Sequence, residues 1–284
     1  MRALAAFAMA GRRQAIIAAV LCGIIPLINM ISPALVALVL LRHGPREALM
    51  VAAFAVLPLI GWASVGDMTP LILLVGVGVM AAVLRRTASW QYALLAAILV
   101  AVGSEAALMV RPAVMDLLLQ QVEAFMAAGG ESAELPEVTP ETLREGVLTL
   151  FGLMHMLMAV FLLILARWWQ ALMYNPGGFQ KEFHEFRLQP SVAMLLVGLF
   201  LLASLGGTVL TGWILYFVIP LAIAGVALVH GLVGIKRLSR LFLVAFYLLL
   251  LSPLAVQLLS VAALLDSFYD FRRRIQPPAD DGSI

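Results

Sequence analysis

Long apolar runs separated by short polar turns organise this chain from end to end. The clearest run is 90–110, in which Glu105 is the only charged residue. A helix rises about 1.5 Å per residue, so about 20 apolar residues cross a hydrocarbon core of about 30 Å. Similar runs occupy 15–41, 48–63, 71–84, 147–166, 192–210, 213–233 and 241–265. The pattern predicts an all-α protein, a polytopic bundle of transmembrane helices that forms a single membrane domain over 1–284.

Basic residues cluster in the turns between these runs. The clusters are Arg12 with Arg13, Arg42 with Arg46, Arg85 with Arg86, Lys236 with Arg237 and Arg240, and 272–274. Lysine and arginine are enriched in the cytoplasmic loops of membrane proteins, so these turns are predicted to lie in the cytoplasm. The runs between them then pair as outward-and-back hairpins and give six clear spans: 48–63 with 71–84, 90–110 with 147–166, and 192–210 with 213–233.

Prolines interrupt the first and the last apolar run near their middles. Pro26 and Pro33 break 15–41, and Pro253 breaks 241–265. A proline inside a helix removes a backbone hydrogen bond and bends or ends the helix. The first run is a hairpin or one kinked span, and we favour the hairpin because it keeps the basic residues on both sides in the cytoplasm. The last run is a proline-broken hairpin, a re-entrant segment or a single crossing, which brings the prediction to eight to nine helices.

Two stretches do not fit the pattern of spans. The stretch 111–143 is polar, and its first half, 113–128, places apolar residues on one side, as in an amphipathic helix on the outer surface. Its second half is an acidic loop, after which Thr139 or Thr142 is expected to cap the next helix. The stretch 167–190 is predicted to be a cytoplasmic interfacial linker, with the aromatic residues Trp168, Trp169, Phe179, Phe183 and Phe186 in the interface.

The composition is typical of a membrane protein and argues against some kinds of binding partner. The chain is 63% hydrophobic and 12% charged with a mean hydropathy of +1.05, far from the values of soluble globular proteins. Its net charge is +2 and its basic residues form no contiguous face, which argues against nucleic-acid binding. The single cysteine, Cys22, excludes an internal disulfide. We predict a multi-pass protein of the bacterial inner membrane that is embedded in the lipid bilayer.

Signatures of enzymes and of cofactor sites are missing from the sequence. There is no phosphate-binding glycine loop, no metal-ligand spacing and no nucleophile elbow. The four histidines, at 43, 155, 184 and 230, are scattered along the chain. The sequence therefore predicts a protein that is not an enzyme and that holds no metal or cofactor.

A few polar residues interrupt the apolar runs. Asn29, Glu105 and His155 are predicted to share one depth in the outer half of the membrane, where an ionisable group costs roughly 2–3 kcal/mol. They predict an outward-facing pocket that binds a small polar solute or a proton. The alternative is that Glu105 pairs with Arg111 or with water and that His155 bonds a neighbouring carbonyl. His230, near the inner edge, is interpreted as structural.

Small residues recur every four positions on the first helix. Ala15, Ala19 and Gly23 form one such stripe, and Ala227 with Gly231 forms another. Small residues let helix backbones approach closely. The first stripe serves packing within the bundle or, as a hypothesis, docks a second membrane protein.

The order of these features resembles a known family. The first helix with its small-residue stripe, the sequence Ser-Pro-Ala at 32–34 and the basic turn at 42–47 resemble the YybS-like family of predicted bacterial membrane proteins, a domain of unknown function. The later stretches 167–169 and 175–179 are also similar to members of that family. The resemblance extends over nearly the whole chain and implies no particular reaction.

The first six helices, to about residue 166, also look like the substrate-binding components of energy-coupling-factor vitamin transporters. That resemblance implies that Ala15, Ala19 and Gly23 dock a transmembrane coupling subunit. It also implies that Asn29, Glu105 and His155 line a vitamin pocket. The extra C-terminal helices and the linker 167–190 depart from that family.

Two functions are carried forward from the sequence. The first is a transporter-like protein that binds a small polar solute or a proton in an outward-facing pocket. The second is a membrane scaffold or assembly factor that works through its first helix and its interfacial linker.

Overall fold

The computed structural model describes residues 2–128 and 139–275. These residues are helical almost throughout and contain no strand. The helices of the first half are α1 (Arg2–Met9), α2 (Arg12–Ile24), α3 (Ile31–His43), α4 (Pro45–Ser64), α5 (Thr69–Thr87), α6 (Trp90–Met109) and α7 (Pro112–Ala128). Those of the second half are α8 (Pro140–Tyr174), α9 (Gly178–Glu185), α10 (Pro190–Leu205), α11 (Gly207–Gly212), α12 (Ile214–Ile235), α13 (Arg240–Leu249), α14 (Pro253–Tyr269) and α15 (Phe271–Arg274).

Several of these helices are long and apolar enough to cross a membrane. By length and composition, the described residues contain five candidate spans: α4, α5, α6, α8 and the segment Leu210–Ile235. Two bent pairs raise that number to seven if each counts as one span; α9 and α10 meet at 64°, and α13 and α14 at 111°. The all-α prediction is confirmed for this part of the chain. The count of eight to nine membrane helices stays a prediction.

The first apolar run folds as a hairpin. Arg12, at the start of α2, donates two hydrogen bonds of 2.7 and 2.6 Å to Glu47, in the first turn of α4. The chain between them therefore leaves one end of the bundle and returns to it, as expected from the charges. The returning helix α3 is buried along 32–41 and packs against α2, α4, α5 and α8. It is the centre of the first half.

The last apolar run also starts and finishes at one end of the bundle. Arg272, just after α14, donates a 2.7 Å hydrogen bond to the carbonyl of Phe186. A side chain at Gly231, near the end of α12, would lie 3.1 Å from Arg272 Nε, and α13 begins soon after α12. Pro253 is the first residue of α14, where its missing N–H has no consequence. The bend at Pro253 thus keeps 272–274 with the other basic clusters, which agrees with the hairpin or the re-entrant segment and not with the single crossing.

The predicted linker 167–190 needs a correction. Helix α8 continues to Tyr174, so the linker proper starts only at the turn before α9. Trp168 and Trp169 lie about 100° apart around this helix, and for that reason Trp169 is fully buried while Trp168 is exposed. Phe186 is also buried in the core. Trp169 and Phe186 are therefore core residues, where the sequence placed them in the interface.

The amphipathic helix predicted at 113–128 is present as α7. Its Met115 is buried against Leu108 and against Val147 and Leu148 of α8. The hydroxyl of Thr139 accepts a hydrogen bond of 3.3 Å from the backbone N–H of Thr142, which makes Thr139 the cap of α8. The acidic loop predicted after α7 lies mostly in 129–138, outside the described residues.

The small-residue stripe on the first helix faces inward. Ala15, Ala19 and Gly23 are buried between α2 and its neighbours. Trp62 Nε1 of α4 donates a 2.9 Å hydrogen bond to the carbonyl of Gly23, and a side chain there would lie 2.9 Å from Pro58 Cγ. These positions serve packing within the chain. The hypothesis that this stripe docks a second membrane protein is corrected accordingly.

We expect Gly23→Leu to lower the free energy of unfolding by about 1–3 kcal/mol, because the new side chain collides with Pro58. Thermal unfolding of the purified full chain in neutral detergent measures the effect. Gly61→Leu on α4 is the matched control, since a side chain there meets nothing within 4 Å. Equal melting temperatures for the two variants would contradict the tight contact of α2 with α4.

Candidate functional site

Glu105 is buried at the junction of α6, α8 and α12. Its side chain is 4% exposed. Trp213 Nε1 donates a 2.8 Å hydrogen bond to Oε2, and the hydroxyl of Tyr216 lies 2.5 Å from Oε1 and 2.8 Å from the carbonyl oxygen of Thr149. Gly152 makes room for this hydroxyl, because a side chain there would overlap it. Both oxygens of Glu105 are therefore engaged inside the protein; we call this arrangement the Glu105 contact.

The other two residues of the predicted pocket have separate surroundings. His155 Nδ1 lies 2.7 Å from the carbonyl of Phe151, one turn earlier in α8, so Nδ1 donates and Nε2 is left as an acceptor. The buried atoms His155 Nε2 and Asn29 Oδ1 have no hydrogen-bond partner. No hydrogen bond joins Asn29 or His155 to Glu105. The alternative interpretation of His155, a bond to a nearby carbonyl, is confirmed.

His155 lies beside an apolar cavity of about 350 Å³ between α7 and α8. Neither Asn29 nor Glu105 is part of its lining, which is Met30, Thr69, Leu118, Val122, Val147, Leu150, Phe151, Met154, His155 and Met158. Of the three residues of the predicted pocket, only His155 thus lines this cavity. Ligand binding by the three together stays a prediction.

A larger cavity lies at the other end of α8. It measures about 730 Å³ and is enclosed by α8, α9, α12 and α13. Most of its lining is apolar, with Phe161 and Ile164 on one side and Ile223 and Val226 on the other. We call it the apolar groove. A second cavity of about 460 Å³ shares the lining residues Gly177, Gln180 and His184 with it, so the two cavities adjoin.

The second cavity has several charged and polar side chains in its lining and is here called the basic mouth. Lys181, His184, Glu185 and Arg272 line it together with Gly177, Gln180, Gly231 and Ile235. At the boundary with the apolar groove, His230 Nε2 lies 2.8 Å from the hydroxyl of Tyr247. The His184 and His230 rings are 6.1 Å apart between centroids. The site therefore changes from apolar to cationic along its length.

Arg272 is the most buried cation of the basic mouth. Its side chain is 10% exposed, and its nearest carboxylate is Asp266 at 3.5 Å. Burial lowers the pKa of Arg272, and the negative charges of Asp266 and Asp270 oppose that shift. Its Nη1 bonds the Phe186 carbonyl, but its Nε is buried without a hydrogen-bond partner.

Two glycines on α12 create the space for these polar side chains. A side chain at Gly231 would lie 2.7 Å from the carbonyl oxygen of His184 and 3.1 Å from Arg272 Nε. One at Gly234 would lie 3.0 Å from His184 Nδ1. A larger residue at Gly231 would collide with the backbone of α9, whereas one at Gly234 would meet only the imidazole of His184. The close approach of α9 to α12 therefore depends on glycine at 231.

Glu182 holds α9 in place over the groove. Its carboxylate accepts a 2.6 Å hydrogen bond from Trp90 Nε1 and forms a 2.6 Å ion pair with Arg167. One face of α9 is thus tied to α6 and α8. The other face presents Phe183 and His184 to the groove.

Comparisons with protein-family models, curated proteins and solved structures gave no match to this chain. The resemblances to the YybS-like family and to vitamin-transporter components therefore stay predictions from the sequence. In the described ranges, no three His, Cys, Asp or Glu side chains are grouped so as to hold a metal ion.

Sequence reasoning missed most of this site. His230 was interpreted as structural, and Tyr247, Glu182 and Arg272 were not singled out as parts of a pocket. The available signal was the alternation of phenylalanine with charged residues at 179–187. It indicated an interfacial segment but not the α12 surface that the segment covers.

We expect Tyr247→Phe to loosen α13, because the bond to His230 is a polar contact that ties this helix to α12. A hydrogen bond of this kind contributes about 0.5–1.5 kcal/mol, so amide exchange in 241–249 should be several-fold faster. Hydrogen–deuterium exchange with mass spectrometry measures this. Tyr269→Phe, at an exposed tyrosine without a hydrogen bond, is the control. Unchanged exchange in both variants would contradict the anchoring role.

Proposed function

We propose that this chain is a multi-pass protein of the bacterial inner membrane that binds an anionic amphiphile. The molecule would have a long apolar part in the apolar groove and a phosphate or carboxylate head in the basic mouth. The observation that carries the proposal is that the two cavities adjoin along shared lining residues, with a nine-tenths buried guanidinium at the polar end. The end of the bundle that carries the basic clusters, and with it the basic mouth, would face the cytoplasm, as the positive-inside rule predicts.

The apolar groove suits an alkyl or similar chain because it is lined by aliphatic and aromatic side chains of α8, α9 and α12. Inside a bilayer, such a chain gains little by leaving the lipid for an equally apolar protein surface. The groove therefore contributes shape and orientation. Selectivity is expected to come from the head group.

The basic mouth supplies that selectivity. Arg272 and Lys181 are cationic and His184 adds donors, whereas Glu185 is the one acid in the lining. Hydrogen bonds from arginine to phosphate or carboxylate are charge-assisted and are about twice as strong as neutral ones. An anion would also offset the cost of keeping the Arg272 guanidinium away from water.

The outward-facing pocket of Asn29, Glu105 and His155 is the second candidate. The buried unpartnered atoms of Asn29 and His155 and the cavity beside His155 favour it. The bonds of Glu105 count against this pocket and so favour the basic mouth, because Trp213 and Tyr216 already bond both of its carboxyl oxygens.

The head-group preference is tested by thermal unfolding of the full chain in neutral maltoside detergent. We expect dodecyl phosphate to raise the melting temperature more than dodecyltrimethylammonium or dodecanol does, since ligands that bind only the folded state stabilise it. Lys181→Gln should reduce that shift. Lys236→Gln is the matched control, because Lys236 is exposed and lies outside the lining of the mouth. Equal shifts for the three additives, or no loss in Lys181→Gln, would overturn the proposal.

The apolar part is tested separately. Val226→Trp should fill the groove and remove the stabilisation by dodecyl phosphate while leaving the basic mouth intact. Val244→Trp, at an exposed position of α13, is the control. If Val226→Trp retains the full shift, the alkyl chain binds elsewhere.

A further inference from the structure

Three methionines and one histidine line the cavity between α7 and α8. On α8, Met154 and Met158 lie four residues apart, and His155 lies three residues before Met158. The third methionine, Met30, comes directly before α3. Residues three and four apart on a helix are neighbours on its surface, so the three side chains from α8 reach the same region. The cavity therefore collects three thioether sulfurs and one imidazole.

The ring nitrogens of His155 are arranged as in a metal-binding histidine. Nδ1 is bonded at 2.7 Å to the Phe151 carbonyl, and Nε2 is buried without a hydrogen-bond partner. In metal sites, one ring nitrogen coordinates the ion while the other donates to a carbonyl or a carboxylate, which fixes the orientation of the ring. Nε2 is therefore the nitrogen with which His155 can coordinate.

The histidine also distinguishes these methionines from ordinary core residues. Methionine often fills irregular gaps between helices, and its sulfur needs no partner in that role. A buried imidazole nitrogen without a hydrogen bond is costly, however, and such atoms call for a physical reason. Coordination of an ion by His155 would remove that cost.

The charges around the cavity favour a cation. Among the described residues, no lysine or arginine lines it. The backbone N–H of Thr69, which is part of the lining, donates a 3.1 Å hydrogen bond to Asp67 Oδ1, so a carboxylate lies next to the cavity. The basic residues of α5, Arg85 and Arg86, lie at the opposite end of that helix.

We propose that the three methionines and His155 form a binding site for a soft monovalent metal ion, Cu(I). Thioether and imidazole ligands suit Cu(I), whereas zinc sites use cysteine, histidine and carboxylate side chains. Those side chains form no group of three in the described ranges. Methionine has three rotatable bonds, so the sulfurs can close around an ion without movement of the helices. This site and the proposed amphiphile site involve different parts of α8, and neither depends on the other.

Competition with a chromogenic Cu(I) chelator tests the binding, under anaerobic conditions and on the untagged full chain in neutral detergent. The chain is measured as the wild type and as Cys22→Ala, because its single thiol is the other soft ligand that could hold the ion. We expect both to bind one Cu(I) per chain and neither to bind Zn(II) comparably. Absence of binding, or binding that is lost in Cys22→Ala, would overturn the proposal.

Leucine variants separate coordination from packing. Met154→Leu combined with Met158→Leu keeps the apolar volume and removes two sulfurs, so the affinity for Cu(I) should fall about tenfold or more. The melting temperature without metal should change little, since exchanges of methionine and leucine are well tolerated. Met50→Leu combined with Met194→Leu, at two exposed methionines outside the lining, is the matched control. Equal Cu(I) affinities in the two double variants would show that the methionines only fill space.

X-ray absorption of the Cu(I)-loaded wild type gives a readout that needs no variant to fold. We expect a first shell with nitrogen and with two or more sulfur atoms per copper. The single cysteine can supply one sulfur at most, so any others must come from methionine. A first shell without a second sulfur would overturn the proposal.

Discussion

Glu105 is the buried polar contact that joins the start of α12 to α6. Trp213 and Tyr216 at the start of α12 bond its carboxyl group, and Gly152 of α8 lets the Tyr216 ring approach. Helices α9, α10 and α14 then pack on α12. The position of α12, and of the helices that pack on it, therefore depends in part on one buried acid. In a low-dielectric interior such a contact has strict geometry, because every unsatisfied polar atom is costly there.

The apolar groove follows from how α8 and α12 are held. They meet near Thr149 and Gly152, close to Glu105, and the space between them farther along, from Leu157 to Leu172 of α8, is the groove. A short helix, α9, closes that space instead of a direct contact between the two long helices. It is fixed by Glu182, and the backbone N–H of Gln189 after it bonds Gln91 of α6 at 2.9 Å. Polar contacts at the two ends of α6 thus hold α9 and α12 in place, and the apolar groove lies between α8 and α12.

The sequence predicted the pairing of segments better than the rotation of each helix. Runs of apolar residues and basic turns indicated which segments pair and favoured a return of 15–41 to the end where it starts, while 241–265 was left open. They carried no information on which way a helix faces. Trp213 and Tyr216 are three residues apart and so lie on one helix face, but only packing shows that this face meets Glu105. Likewise, hydropathy ended the span at residue 166, before Arg167, whereas α8 continues to Tyr174 because no proline or glycine occurs between Arg167 and Pro176.

The small residues show why the spacing of residues in the sequence was not enough to predict the site. Spacing by four at Ala15, Ala19 and Gly23 and at Ala227 and Gly231 indicated the same thing in both cases, a close approach of two helices. At Gly23 that is what occurs, since α4 packs directly on it. At Gly231 the space is taken instead by the His184 carbonyl and the Arg272 guanidinium. At both of these glycines the spacing marks a close approach, and tertiary packing decides whether the neighbour is a helix or a charged side chain.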